Sequence, residues 1–321
     1  MTAVELARAV RDSPGIAHKT DIRQACAALA ELPPLPSPVG DDCAAIPDGD
    51  GYLLFAIEGM LESFVSAEPW FAGYCAVMVN ISDVAAMGGR PIAVVDAIWS
   101  RDAAGAAEVW AGMQAASRAY GVPIVGGHTN ARSAHGYLAA AVLGRATRLL
   151  TSFDARPGDV LLAAIDLRGA YFATYPYWNC STDAPGERLR GDIALLAEIA
   201  EAGLCRAAKD ISMGGVLGTL TMLAESSAAG ACIDPGALPA PPGVPLERWL
   251  LSFPSFGYLL SVRPADADAI CARFAARSIA CAAIGTVDDS HVVRIRHAAE
   301  EAVFWDLAAE PFTGASAHAR T

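Results

Sequence analysis

The sequence predicts a two-domain chain with an α/β first half and an α+β second half, and three observations predict it. At 321 residues the chain exceeds the commonest single-domain size. Helix and strand signals alternate through the first 150 residues. A polar segment rich in turn formers, Asp154-Ala-Arg-Pro-Gly-Asp159, then precedes the apolar run 160–165. The boundary falls there, giving domains at 1–150 and 151–321.

The elements follow in order. Residues 52–57 read as a short buried strand after the turn-rich 47–51 segment. Residues 70–87 read as a helix closed by Gly88 and Gly89, whose backbone freedom suits a helix C-terminus. A strand covers 91–98. Asp102 N-caps a helix over 103–120 that ends at Gly121. A strand at 122–125 leads into Gly126-Gly127, and another covers 137–144. In the second half a helix at 187–202 stops at Gly203, a strand spans 205–211, and a helix at 214–229 stops at Gly230. A Pro-rich loop (235–245), a strand (253–262), a helix (264–277) and two strands (280–287 and 291–295) complete the pattern. The tail after Pro311 reads as loose. The aromatic-rich segment 171–187 reads as a lid or a surface excursion.

Composition narrows the function classes. Apolar residues make up 54% of the chain, enough for two cores, yet no apolar run approaches the roughly 20 residues of a membrane span. Glu5, Arg8 and Arg11 near the start do not fit a secretory signal, so a cytoplasmic location is expected. A net charge of −12 argues against a nucleic-acid partner. It still allows a polyphosphate whose charge is bridged to carboxylates by magnesium. The eight cysteines form no Cys-x-x-Cys pair and read as small buried hydrophobes, not as zinc ligands.

Four segments join acidic or polar side chains to glycine at an element edge: Gly40-Asp41-Asp42, Asn80 to Gly89, Gly126-Gly127-His128-Thr129, and Lys209-Asp210 to Gly215. Asn80 and Asp83, three apart, share one helix face. An acid inside an apolar helix is costly unless it is paired or binds a cation, and both readings fit Asp83. Asp41 and Asp42 fit a turn or a hard-cation site. Gly126 and Gly127 fit an ordinary strand end or exposed amides that receive a phosphate. Asp210 precedes a helix N-terminus, which suits capping as well as anion binding. No Walker-type phosphate loop, dinucleotide-binding glycine motif or nucleophile elbow occurs in the sequence.

In order and spacing these segments resemble the superfamily of aminoimidazole-ribonucleotide (AIR) synthetase, thiamine-monophosphate kinase, selenophosphate synthetase and a hydrogenase-maturation carbamoyl dehydratase. The match runs from about Gly40 to Val262, and Asn80 to Gly89 followed by Arg90-Pro91 is its most specific piece. The resemblance implies an N-terminal sheet that pairs across a homodimer into a barrel, with ATP and Mg2+ as cofactors. It implies Asp42 and Asp83 as magnesium ligands, with Asp41 a third and Glu58 in place of a family Asp. Asp83 and Asp210 become the catalytic acids, and Asn80 orients Asp83. Gly126, Gly127, His128 and Thr129 line the phosphates, and Lys19 is either a phosphate-reaching cation or a solvated side chain.

Departures bear on the substrate. Met213 replaces a second acid of thiamine-monophosphate kinase, no cysteine precedes Lys19 as in selenophosphate synthetase, and the chain ends without the dehydratase's cysteine. The reading is a magnesium-dependent ATP enzyme that phosphorylates a small molecule, in a separate AIR synthase-like branch, with neither nucleic-acid nor membrane partner. The alternatives are a non-catalytic nucleotide-binding scaffold or sensor of the same fold, and a metal-dependent hydrolase that uses no nucleotide.

Overall fold

The computed structural model of the protein describes residues 1–30 and 39–315. It divides into two units that are not contiguous in sequence. The larger unit comprises Met1–Asp42, Leu150–Ser181 and Ile199–Thr321; the smaller comprises Cys43–Leu149 and Thr182–Glu198. The first 42 residues therefore group with the second half of the chain, not with 43–149.

The larger unit opens with helices α1 (Ala3–Arg11), α2 (Pro14–Thr20) and α3 (Ile22–Ala30). Thr2 and Glu5 close a capping box on α1, each side chain accepting from the other's backbone N–H. Leu6 and Val10 of α1 are buried in the core of this unit with Phe304 and Phe312.

The smaller unit contains β1 (Ala44–Asp48), β2 (Gly51–Met60), α4 (Glu62–Ala67), α5 (Pro69–Ala86), β3 (Arg90–Trp99), α6 (Ala103–Tyr120), β4 (Ile124–Asn130) and β5 (Tyr137–Ala146). Its sheet has the order β1-β2-β5-β3-β4, with β3 and β4 parallel and the other pairs antiparallel. Helix α5 covers one face and is buried at every residue from Phe71 to Ala86. Its apposition to α6 is backbone-close: a Cβ on Gly73 would meet the Val109 carbonyl oxygen at 2.1 Å, and one on Gly112 the Trp70 oxygen at 1.8 Å. Small side chains are required there, which accounts for part of the alanine and glycine content.

The sheet's two faces differ. Leu54, Val94, Leu138 and Val142 are buried on the α5 side. Ile46, Phe55, Ile57, Val95 and Leu143, in register on the opposite face, are exposed, Ile57 by 68%. Strand β4 differs from expectation. The glycine pair does not form a loop after a strand; the strand runs through it, because residues 126–130 pair in parallel with Val95–Trp99.

The larger unit continues with β6 (Val160–Ile165), β7 (Ala170–Tyr171) and β8 (Tyr177–Asn179), and α7 (Gly186–Glu201) begins in the smaller unit. There follow β9 (Ala207–Asp210), α8 (Gly215–Ser226), β10 (Gly230–Ile233), α9 (Leu246–Leu250), β11 (Phe253–Pro254), β12 (Gly257–Val262), α10 (Ala267–Ala275), β13 (Ala280–Asp288), β14 (Val292–His297) and β15 (Glu300–Asp306). A seven-stranded mixed sheet has the order β15-β14-β10-β13-β6-β12-β9, and a small sheet the order β11-β8-β7. Segment 171–187 contributes Tyr171 to β7, residues 177–179 to β8 and its last two residues to α7, with turns and loop between them.

The stretch 312–315 is not loose. Phe312 is fully buried and Thr313 is 4% exposed. The Glu225 carboxylate accepts from the N–H groups of Phe312 (2.6 Å), Thr313 (2.7 Å) and Gly314 (3.2 Å) and from Thr313 Oγ1 (2.6 Å). An aromatic anchor plus a carboxylate with four donors fixes this segment; 316–321 lie outside the described residues. No helix among the described residues is long and apolar enough to cross a membrane.

Candidate functional site

In the larger unit the adjacent acids Asp41 and Asp42 meet the β9 end. The Asp41 carboxylate accepts from Ser152 N (2.9 Å) and Ser152 Oγ (2.6 Å). Burial first, and the neighbouring Asp42 charge second, raise its pKa to about 6 despite Lys209 and Ser152, which oppose the shift. Asp42 Oδ1 pairs with the Lys209 ammonium; the two side chains are only 5% and 6% exposed. The second oxygen, Asp42 Oδ2, is buried with no hydrogen-bond partner among the described residues.

Lys209 lies on β9, where all four residues are buried. Burial works against its charge, but Asp42, Asp41 and Asp210 outweigh that and raise its pKa. Asp210, 4% exposed, ends the strand opposite Tyr258. Thr219 Oγ1 donates to the Asp210 carbonyl (3.2 Å) and accepts from Ser212 N (3.3 Å), tying the turn to α8. Lys19 on α2 lies along this turn, its Cγ 3.3 Å from where a Cβ on Gly214 would stand. Lys19 and Lys209 are the only lysines in the sequence. That scarcity was the available signal for Lys209, which the sequence reading did not single out as a site residue.

In the smaller unit the strand registers build one row. Glu58 on β2 and Asp96 on β3 both pair with Ala140 of β5, and Asp96 pairs on its other side with Gly127 of β4. Registered residues share a face, so Glu58, Ala140, Asp96 and Gly127 face the side that α5 covers. Glu58 is exposed. Asp96 is 7% exposed, neither of its oxygens has a hydrogen-bond partner among the described residues, and burial raises its pKa to about 6. The sequence reading passed over Asp96, although it is the one acid in the apolar run Ile92-Ala-Val-Val-Asp-Ala-Ile98.

Asn80 and Asp83 are both buried on α5. Asn80 Nδ2 donates to Ala76 O (2.7 Å) and Ala140 O (3.0 Å), spending both its hydrogens on main chain. Asn80 thus ties α5 to β5 at the middle of the acidic row, with its Oδ1 buried and without a hydrogen-bond partner among the described residues. His128 projects from β4 opposite to Gly127, and its ring lies 5.6 Å from that of Trp99. The side chains of 126–129 therefore cannot all line one ligand. The larger unit thus sets the buried Asp41 and Asp42 against one ammonium, the smaller unit buries Asp96, and oxygen ligands of this kind suit hard divalent ions. The orphaned Asp42 Oδ2 fits such an ion.

Comparisons with known proteins agree with this architecture. Residues 40–146 match the AIR synthase related protein N-terminal domain, and residues 156–298 its C-terminal domain. A protein of Synechocystis sp., described as uncharacterized, is 50% identical over 277 residues, 86% of each chain. Thiamine-monophosphate kinase of Methanospirillum hungatei is 30% identical over 210 residues, 63% of this chain and 71% of the kinase. Among solved structures, T. maritima PurL complexed with ADP superposes with a TM-score of 0.74 at 21% identity, covering 93% of this chain and 52% of PurL. This chain thus spans about half of PurL's length. AaThiL complexed with AMPPCP and TMP gives 0.64 at 19% identity, covering 80% of this chain and 87% of AaThiL. At these identities the two structures establish the fold alone. The chain belongs to the AIR synthase related family.

Proposed function

We propose that the protein is a magnesium-dependent ATP-binding enzyme that phosphorylates a small-molecule substrate, or activates it by phosphorylation. The observation that carries this reading is the buried cluster Asp41, Asp42, Lys209 and Asp210. Asp41 and Asp42 lie against one ammonium, and Asp42 Oδ2 has no hydrogen-bond partner among the described residues. Burial of uncompensated charge is costly, so such a cluster suits a bound cation. The T. maritima PurL structures with ADP and ATP and the AaThiL structure with AMPPCP and TMP support nucleotide binding within this fold.

Asp42 and Asp83 hold magnesium in this reading, with Asp41 and Glu58 as further ligands and Asp210 facing the substrate. Magnesium supplies charge neutralisation on the ATP phosphates when bound; the remaining catalysis is placement and electrostatics. Lys209 fixes the Asp42 carboxylate, Ser152 fixes that of Asp41, and Asn80 fixes α5, and with it Asp83, to the sheet. Lys19, Gly126, Gly127, His128 and Thr129 contact the nucleotide through main chain or side chain. The exposed apolar sheet face of Ile46, Phe55, Ile57, Val95 and Leu143 supports pairing with a second copy into a barrel-like homodimer.

Calorimetry with a non-hydrolysable ATP analogue and magnesium tests the reading. D83N and D42N are expected to weaken binding by at least about tenfold, in line with the loss of a metal-site partner. Wild-type protein that binds no nucleotide, or variants that bind it unchanged, would falsify the assignment.

A further inference from the structure

We propose that Arg248, lying on the ring of Tyr171, is the receptor for an oxyanion, a carboxylate or phosphate, carried by the small molecule this protein acts on. The proposal rests on the reading of the chain as an enzyme with a small-molecule substrate, and adds that substrate's chemical class.

Arg248 stacks on a ring that is itself held by a hydrogen bond and by a second aromatic ring. Its guanidinium carbon lies 3.8 Å from the Tyr171 ring centroid. The Tyr171 hydroxyl and Ser252 Oγ are hydrogen-bonded at 2.6 Å, and Ser252 Oγ donates to the carbonyl of Arg248 itself (2.9 Å). The Tyr171 ring meets Trp178 edge-on at 5.3 Å, and Trp178 Nε1 donates to Asp166 O (3.0 Å). A planar cation stacked on a ring that is itself held at its hydroxyl loses less freedom when it binds an anion.

Two other arginines of this unit also lie over aromatic rings, but both are occupied. Arg11 donates to Val303 O (2.8 Å), and Arg23 pairs with Glu310 (2.7 Å) and donates to Phe312 O (2.9 Å). Among the described residues Arg248 has neither an ion pair nor a side-chain hydrogen bond, in a chain of net charge −12 with acids to spare. Two basic groups nearby are spent, Lys209 on Asp42 and Arg168 on Asp166. A preorganised, exposed guanidinium left unpaired in an acidic protein fits a bidentate oxyanion.

Position joins this receptor to the acids. The turn after Asp210 enters α8 at Gly215, in the left-handed region (φ +62°), where a Cβ would stand 2.0 Å from the Leu250 carbonyl oxygen. Helix α9, which carries Arg248, therefore abuts the turn that Asp210 begins. Ile211 N also donates to Gly257 O (2.9 Å), where the strand leaving the small aromatic sheet enters β12. Arg248, Tyr171 and Asp210 share one end of the seven-stranded sheet.

The test uses the full-length protein without nucleotide or metal, so its outcome is independent of ATP binding. Phenylglyoxal modifies accessible arginines, and peptide mass spectrometry reads the rate at Arg248 alone. Phenyl phosphate or benzoate is expected to slow that rate several-fold, whichever oxyanion binds better marking the natural group, while benzyl alcohol, the same ring without charge, leaves it unchanged. NMR titration with the better of the two should show affinity falling by about tenfold in R248M and in R248K, which keeps the charge but not the planar fork. Equal protection by benzyl alcohol, no protection by either anion, or undiminished binding by R248M would overturn the proposal.

Discussion

The carboxylate of Asp96 lies directly beneath Gly127: a Cβ on that glycine would stand 2.5 Å from Oδ2 and 2.6 Å from Oδ1. A glycine at 127 is thus the steric condition for a carboxylate at 96. G127A is expected to destabilise the protein by about 1–3 kcal/mol, the usual cost of overpacking. D96A should restore most of that loss in the double variant, as denaturant melts of all three proteins will show.

Asp96 also makes stability depend on pH in a definite direction. Its pKa is raised from 3.8 to about 6 by burial, so between those values the folded state holds a proton that the unfolded state releases. The penalty is absent below pH 3.8, builds through the interval and is complete above about pH 6. Solvent screening of this partly buried carboxylate brings the penalty to about 1 kcal/mol. D96N is expected to be the more stable protein at pH 8, with about half that advantage at pH 5. Equal melting of wild type and D96N at both pH values would show that the acid is stabilised by another group.

Lys209 is expected to be intolerant of change. K209M leaves the buried Asp42 without its cation, and breaking a buried pair from one side costs about 3–5 kcal/mol. D42N/K209M should recover part of this, because the two side chains are directly coupled. A double variant as unstable as the sum of the two single ones would deny that coupling.

Glu225 should govern the C-terminal segment. E225A leaves the N–H groups of Phe312, Thr313 and Gly314 without their acceptor, at about 1–3 kcal/mol for each buried donor. Amide hydrogen exchange is expected to accelerate at 312–314 in E225A and to change far less in E225Q, which keeps an acceptor oxygen.

The exposed apolar sheet face gives the oligomer prediction. F55E and I57E place charge where side chains are 49% and 68% exposed, so folding should be unaffected. If the face is an interface between copies, light scattering will show wild type as a dimer and both variants as monomers.

Much of this architecture was legible in the sequence because local signals and tertiary structure agree. Asp102 N-caps α6 by accepting from Gly105 N, and Gly121 closes that helix at φ +71°. The segments that were misread are those in which long-range partners decide. Gly126 and Gly127 look like a loop, yet pairing with β3 draws them into a strand. The stretch after Pro311 looks loose because its acceptor, Glu225, lies far away in sequence. Asp96 was passed over because its surroundings come from cross-strand register, and periodicity within one strand does not report that. Lys209 was hidden by its apolar neighbours, which are what bury it.

The confinement of lysine to positions 19 and 209 has a practical consequence. With Lys209 only 5% exposed, an amine-directed dye at neutral pH finds one accessible side-chain target, on α2, besides the chain's amino terminus. A fluorophore can therefore be installed on the native sequence alongside the turn that follows Asp210, and its emission will report on whatever enters there without any engineered cysteine.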